Sequence, residues 1–161
     1  MPNWFNFYFN SSPYCYKEFP KSASFKDLQG IEKDILKKGK VKVLSFWSTR
    51  CGACINEFPD FQEFYDEYKN DSSVIIYSIN MNTPKDPVNA DEFIGKKGYS
   101  FPCLYMPSDS DRIKFGIRLI PALIVVDQEN KIRYFGTFHN KWYDLVHNIN
   151  GVIKTVKNNS I

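Results

Sequence analysis

Phe46-Trp47-Ser48-Thr49-Arg50-Cys51-Gly52-Ala53-Cys54-Ile55-Asn56-Glu57-Phe58-Pro59 joins two different apolar periodicities. Upstream, Val41, Val43, Leu44, Phe46 and Trp47 form a near-continuous apolar run between Lys40 and Ser48, the pattern of a strand buried on both faces of a parallel sheet. Downstream, Ile55, Phe58, Phe61, Phe64, Tyr65 and Tyr68 recur at three- and four-residue intervals, which predicts a long helix from Gly52 to about Asn70. Pro59 removes a backbone hydrogen bond from that helix and is expected to kink it.

Two cysteines therefore stand where a buried strand hands over to a helix. A thiolate there meets unpaired backbone N–H groups and the positive end of the helix macrodipole, which lowers a cysteine pKa from ~8.5 toward ~3.5–7.5. Each unit is worth ~1.4 kcal/mol of preference for the charged form. Cys51, at the mouth of the turn, is the candidate attacking sulfur, with Arg50 beside it as a further favourable charge. Cys54, one turn inward, is shielded. Two intervening residues let the sulfurs close a small ring, so the pair can cycle between dithiol and disulfide through a mixed disulfide.

Strand and helix patterns continue on both sides. Phe25, Leu28, Ile31, Ile35 and Leu36 predict a first helix capped by Ser24 and ended at Gly39. Val74 to Ile79 reads as a second buried strand, Asn89 to Lys97 as a short helix stopped by Gly98, and Phe101 to Tyr105 as a short strand. Ser108 starts a helical turn reaching Gly116. Pro121 opens a strand over Ala122 to Val126, and Asp127-Gln128-Glu129-Asn130 turns the chain into Ile132 to Phe135. Trp142, Leu145, Val146, Ile149, Val152, Ile153 and Val156 predict a closing helix. The order of elements places the chain in the α/β class.

Composition bounds the rest. The 161 residues suit one domain over 1–161, with an arm at 1–24 lying on a core at 25–158. That arm carries Trp4, Phe5, Phe7, Tyr8, Phe9, Tyr14, Tyr16 and Phe19, too much apolar surface for a solvated tail, and the alternation around Tyr14 to Phe19 suits a strand covering a sheet edge. A net charge of +3, without a run of five like charges, argues against a nucleic-acid partner. No apolar run approaches the ~18 residues of a membrane-spanning helix, and the opening residues lack the layout of a signal peptide.

The Phe46–Pro59 segment resembles the active-site run of thioredoxin-like thiol–disulfide oxidoreductases of the TlpA/ResA branch. Ile120-Pro121-Ala122-Leu123-Ile124-Val125-Val126-Asp127 is similar to that family's second hallmark, a strand opened by a cis-proline. The resemblance covers about Lys40 to Phe138. It implies a thioredoxin-like fold: a central mixed β-sheet flanked by helices, with a strand–helix insertion between the Cys-x-x-Cys helix and the cis-proline strand. It also implies a redox disulfide between Cys51 and Cys54, with no other cofactor and no metal. Ile120 and Pro121 would face the pair and, with Trp47 and Arg50, meet an extended substrate segment.

Glu57 matches the buried acid of this branch. On the helix it lies on the side of Cys54, and a carboxyl in an apolar pocket has a raised pKa, so it could take the proton of the second thiol. Three departures stand out. Ser45 occupies the position of thioredoxin's buried aspartate, Arg50 replaces the tryptophan common before the first cysteine, and Gly52-Ala53 is not thioredoxin's Gly-Pro. The implied partners are a disulfide-containing protein and an upstream thiol electron donor, met by a monomer. Relatives of this kind are mostly exported, which points to the bacterial envelope or periplasm; the visible N-terminus leaves the cytoplasm as the alternative.

Other candidates read as structural. Cys103 is expected to be a buried, inert thiol, although four cysteines also allow a bridge to Cys15. His139 and His147 read as surface or helix-face residues. Asp109 and Asp111 read as capping a short helix. A second function class is a copper-holding metallochaperone using Cys51, Cys54 and His139, against which stands the two-residue cysteine spacing.

Overall fold

The computed structural model describes residues 17–21, 24–82, 88–106, 108–137, 150–155 and 157–158. Its elements are β1 (Val41–Trp47), α1 (Gly52–Asn56), α2 (Phe58–Tyr68), β2 (Val74–Asn80), α3 (Ala90–Lys96), β3 (Cys103–Tyr105), α4 (Asp109–Lys114), β4 (Ala122–Val126) and β5 (Ile132–Thr137). The strands make one mixed sheet in the order β3-β2-β1-β4-β5. Strand β1 is central, parallel to β2 and antiparallel to β4. Helix α3 and β3 lie between α2 and β4, and β3 pairs parallel to β2 at the outer edge.

Alternation along β1 supplies both cores. Val41, Val43 and Trp47 join Phe58, Phe61, Phe64, Phe101 and Ile153 on one face. Leu44 and Phe46 join Phe19, Phe25, Ile35 and Phe115 on the other. A sheet covered on both faces needs apolar residues at successive positions, which is why its strands read as unbroken apolar runs.

The expected helix over Phe25 to Leu36 does not form. The Asp27 carboxylate accepts the backbone N–H groups of Gln29 and Ile31, at 3.0 and 2.9 Å, and Gly30 takes φ +79°. Lys26 exchanges two backbone hydrogen bonds with Tyr105 at the β3 edge. Local side-chain bonding and edge pairing outcompete a helix here. Phe25 and Ile35 are buried, whereas Leu28 and Ile31 are exposed, so the apolar spacing that suggested a helical face has another origin.

Of the arm, Tyr14 to Tyr16 lie outside the described residues. Its end pairs with the β4–β5 turn: the Phe19 N–H donates to the Asn130 carbonyl at 2.8 Å and the Ile132 N–H to the Lys17 carbonyl at 2.9 Å. Phe19 is buried against Phe115, with ring centroids 4.8 Å apart. Residues 150–155 and 157–158 are helical, and Val152 and Ile153 enter the core. Trp142, Leu145, Val146, Ile149 and Val156 lie outside the described residues, as do His139, His147 and Cys15. No described helix is long and apolar enough to cross a membrane.

Candidate active site

Strand β1 ends at Trp47, and Ser48, Thr49 and Arg50 turn the chain toward α1. The Cys51 N–H donates to the Ser48 carbonyl at 3.1 Å, closing the turn. Cys51 is the N-cap of α1, with extended backbone at φ −95° and ψ 93°. Its sulfur accepts the Cys54 backbone N–H at 3.2 Å. A cap acceptor of this kind satisfies one of the orphan N–H groups of a helix start. Cys51 and Cys54 are joined by a disulfide with their Cα atoms 5.2 Å apart. Cys51 is half-buried and Cys54 buried, while Arg50, Gly52 and Ala53 are exposed. The outer sulfur is thus the accessible one.

The helix breaks at Glu57, two positions before Pro59. Proline has no N–H to offer the carbonyl of Ile55, and its ring crowds that carbonyl. Glu57 closes α1 instead, donating its N–H to the Cys54 carbonyl at 3.1 Å, and its own carbonyl accepts the Phe61 N–H at 3.0 Å as α2 begins. Its side chain makes no cap hydrogen bond to α2. Burial, reinforced by the neighbouring Asp60 carboxylate, pushes the Glu57 carboxyl up to about 7. A carboxyl with that pKa exchanges protons near neutral pH.

The peptide bond between Ile120 and Pro121 is cis. In the β1–β4 register Phe46 pairs with Ala122, so Pro121 falls beside the end of β1, where the cysteine turn begins. Pro121 is buried; Ile120 is half-buried and packs against both cores, one of which Cys51 also touches. The expectation that Trp47 helps form a substrate surface is corrected. Trp47 is 1% exposed. Its ring meets Phe58 edge-on at 4.9 Å and stacks on Phe93 at 5.8 Å, so it is a core residue supporting the turn from below.

Cys103 is a free, buried thiol among the described residues; Cys15, the other end of the alternative bridge, lies outside them. Burial pushes the Cys103 pKa up to about 12, and its sulfur donates weakly to the Leu104 carbonyl at 3.5 Å. The cap of α4 is Ser108 rather than Asp109 or Asp111, and Asp111, in the first turn, bonds Ser108 and Lys114.

The motif reading overlooked two asparagines. The Thr49 N–H donates to Asn82 Oδ1 at 3.1 Å, and Asn82 Nδ2 donates to Thr49 Oγ1 at 2.9 Å. Asn80 and Asn82 bond each other, with Asn80 fully buried. The available signal was a polar Asn-Met-Asn ending an apolar strand pattern, at the carboxyl edge where α/β sheets place their sites.

Comparison with known proteins places this geometry. The Redoxin family model matches residues 17–153. Thiol-disulfide oxidoreductase ResA of Halalkalibacterium halodurans is 31% identical over 107 residues, 66% of this chain and 59% of that protein. Sporulation thiol-disulfide oxidoreductase A of Bacillus subtilis is 28% identical over 114 residues, 70% of this chain and 68% of that protein. The crystal structure of StoA from Bacillus subtilis superposes with a TM-score of 0.64 at 23% identity, covering 85% of this chain and 99% of that one. The thioredoxin domain of a thiol-disulfide oxidoreductase from Bacteroides vulgatus gives 0.67 at 23%, covering 86% and 99%. These superpositions establish a thioredoxin-like fold.

Proposed function

This chain belongs to the Redoxin family, and on that premise we propose that it is a thiol–disulfide oxidoreductase acting on disulfide-containing proteins. The observation that carries the reading is the Cys51–Cys54 disulfide at the start of α1, with the Cys51 sulfur in the cap position. The ResA and sporulation relatives, named for this activity, support it.

In the reducing direction, the Cys51 thiolate attacks one sulfur of a substrate disulfide. The substrate S–S bond breaks, its leaving sulfur takes up a proton, and Cys51 holds the other sulfur as a mixed disulfide. Cys54 gives its proton to the Glu57 carboxylate and attacks the Cys51 sulfur. The mixed disulfide breaks, the second substrate thiol leaves, and the intramolecular disulfide remains. Two electrons have passed from the cysteine pair to the substrate, and an upstream thiol donor returns them by the same exchange.

The chemistry needs no bound cofactor or metal because the two sulfurs carry the electrons. Half-burial and a pKa near neutrality favour Glu57 as the proton carrier. Ile120 and Pro121, beside the turn, and exposed Arg50 are the groups proposed to meet the substrate, with the protein acting as a monomer. The proposed place of action is extracytoplasmic, where disulfides persist. Copper binding draws no comparable support from them, and its third ligand, His139, lies outside the described residues.

The test is reduction of insulin disulfides with dithiothreitol as electron source. The native chain accelerates it and Cys51→Ser does not; equal rates for the two would remove the assignment.

A further inference from the structure

We propose that Asn82, acting through Thr49, is a positioning residue that holds the redox turn so that Cys51 stays in its cap position. The inference rests on the exchange chemistry above.

Only Ser48, Thr49 and Arg50 separate the last residue of β1 from Cys51. A turn this short passes any movement at its middle residue directly to the sulfur. Thr49 is that middle residue, and Asn82 holds it at two points. The amide oxygen of Asn82 takes the Thr49 backbone N–H at 3.1 Å, and its amide nitrogen reaches the Thr49 hydroxyl at 2.9 Å. Two bonds from one planar amide fix rotation as well as position. The amide orientation follows from the partners, since a backbone N–H can only donate and must face the oxygen.

Asn82 is itself held. Its N–H donates to Asn80 Oδ1 and its Oδ1 accepts from Asn80 Nδ2, both at 3.0 Å. Asn80 is 0% exposed, and its carbonyl accepts the Met106 N–H at 3.1 Å. Next to it, the Met81 N–H donates to the Trp47 carbonyl at 2.8 Å. The chain of contacts therefore runs from the end of β3, through buried Asn80 and half-buried Asn82, to the residue at the centre of the redox turn. A buried amide persists in an apolar interior when its polar atoms are bonded, and the bonds of Asn80 are made to Asn82, which in turn bonds the turn.

The groups in this chain are neutral, so their action on the thiolate is geometric. They keep the Cys51 sulfur where the Cys54 N–H can reach it. Releasing Thr49 lets that sulfur drift from the helix start and lose part of the stabilisation given to its charged form.

The experiment follows peptide-resolved iodoacetamide alkylation of Cys51 against pH in the reduced full chain, for the native protein, Asn82→Ala, Thr49→Val and Thr49→Ser. Asn82→Ala and Thr49→Val are expected to raise the Cys51 titration by about one unit, a tenfold loss in the ionisation constant. Attack on a small disulfide below that pKa slows about threefold, because greater nucleophilicity offsets part of the lost thiolate. Thr49→Ser keeps the hydroxyl and returns the native titration.

The proposal is overturned if Asn82→Ala and Thr49→Val, both folded, titrate within about 0.2 unit of the native protein. Should Asn82→Ala fail to fold, the nearly isosteric Thr49→Val decides alone by the same criterion. Alkylation requires no protein substrate, so a native chain inactive toward insulin would sink the oxidoreductase reading while the titration still judged the clamp.

Discussion

The backbone N–H of Cys54 points at the sulfur of Cys51 across 3.2 Å. One cysteine thereby stabilises the charge that the other must carry to react. In the reduced protein Cys51 is expected to titrate below the ~8.5 of a free cysteine, while buried Cys54 is shielded. Cys54→Ser should then accumulate a mixed disulfide between Cys51 and a substrate protein, visible on a non-reducing gel and absent in Cys51→Ser. Alkylation of Cys51 with the pH profile of free cysteine would contradict this account.

Glu57 gives a pH dependence with a definite sign. Its carboxyl is raised from 4.5 to about 7 in the folded chain, chiefly by burial, so between those values the native state holds a proton that the unfolded state has released. The associated stability is fully present below about 4.5 and is lost as pH rises through about 7. Glu57→Gln, which cannot ionise, should match the native protein near the lower limit and exceed it in alkaline buffer by up to a few kcal/mol, at ~1.4 kcal/mol per pKa unit. The same substitution should flatten the rise with pH of mixed-disulfide resolution, measured by stopped flow. A stability difference independent of pH would place the Glu57 carboxyl at an ordinary value.

Much of this was legible from residue patterns because burial on both sides of the sheet leaves a direct imprint. Val41 to Trp47 and Ala122 to Val126 are apolar at nearly every position since each side chain meets a core on one face or the other. Asn89 and Gly98 bracket α3 as cap and left-handed stop. Cys51 and Cys54 were identifiable because their place between strand and helix constrains their chemistry. The Phe25 to Leu36 segment misled because its spacing fits a helix while Asp27 offers the backbone a competing turn, and the β3 edge that captures Lys26 is remote in sequence. Trp47 looked like a site residue by its neighbourhood; only the packing of Phe58 and Phe93 around it reveals a core role. Asn82 was hidden for a related reason, since its partner Thr49 lies on another strand's exit loop.

Lys42 provides the contrast between holding the fold and holding the site. It is 1% exposed on β1, and burial lowers its pKa although Asp127, Asp34 and Glu129 oppose that shift. Its ammonium donates to Asn130 Oδ1 at 2.5 Å and to the Asp127 carbonyl at 3.3 Å. Asn130, at φ +63° in the β4–β5 turn, passes the contact on by donating to the Leu36 carbonyl at 3.0 Å. Asp127 in turn accepts Arg133 Nε at 2.6 Å. This brace ties the residues before β1 to the hairpin, at the end of β1 opposite Cys51. At ~3.3 Å per residue, Lys42 stands about 16 Å along the strand from Trp47. Lys42→Ala removes the donor to the half-buried Asn130 Oδ1 and opens a cavity in a buried site, a cost of about 2–4 kcal/mol in denaturant unfolding. Lys42→Met keeps the stem and sheds a buried charge, so it should cost less. Neither should move the Cys51 alkylation profile, because the disturbance lies at the far end of a strand paired on both sides. A shift of that profile with Lys42→Ala would mean that the brace and the redox turn form one cooperative unit, and the separation drawn here between them would fail.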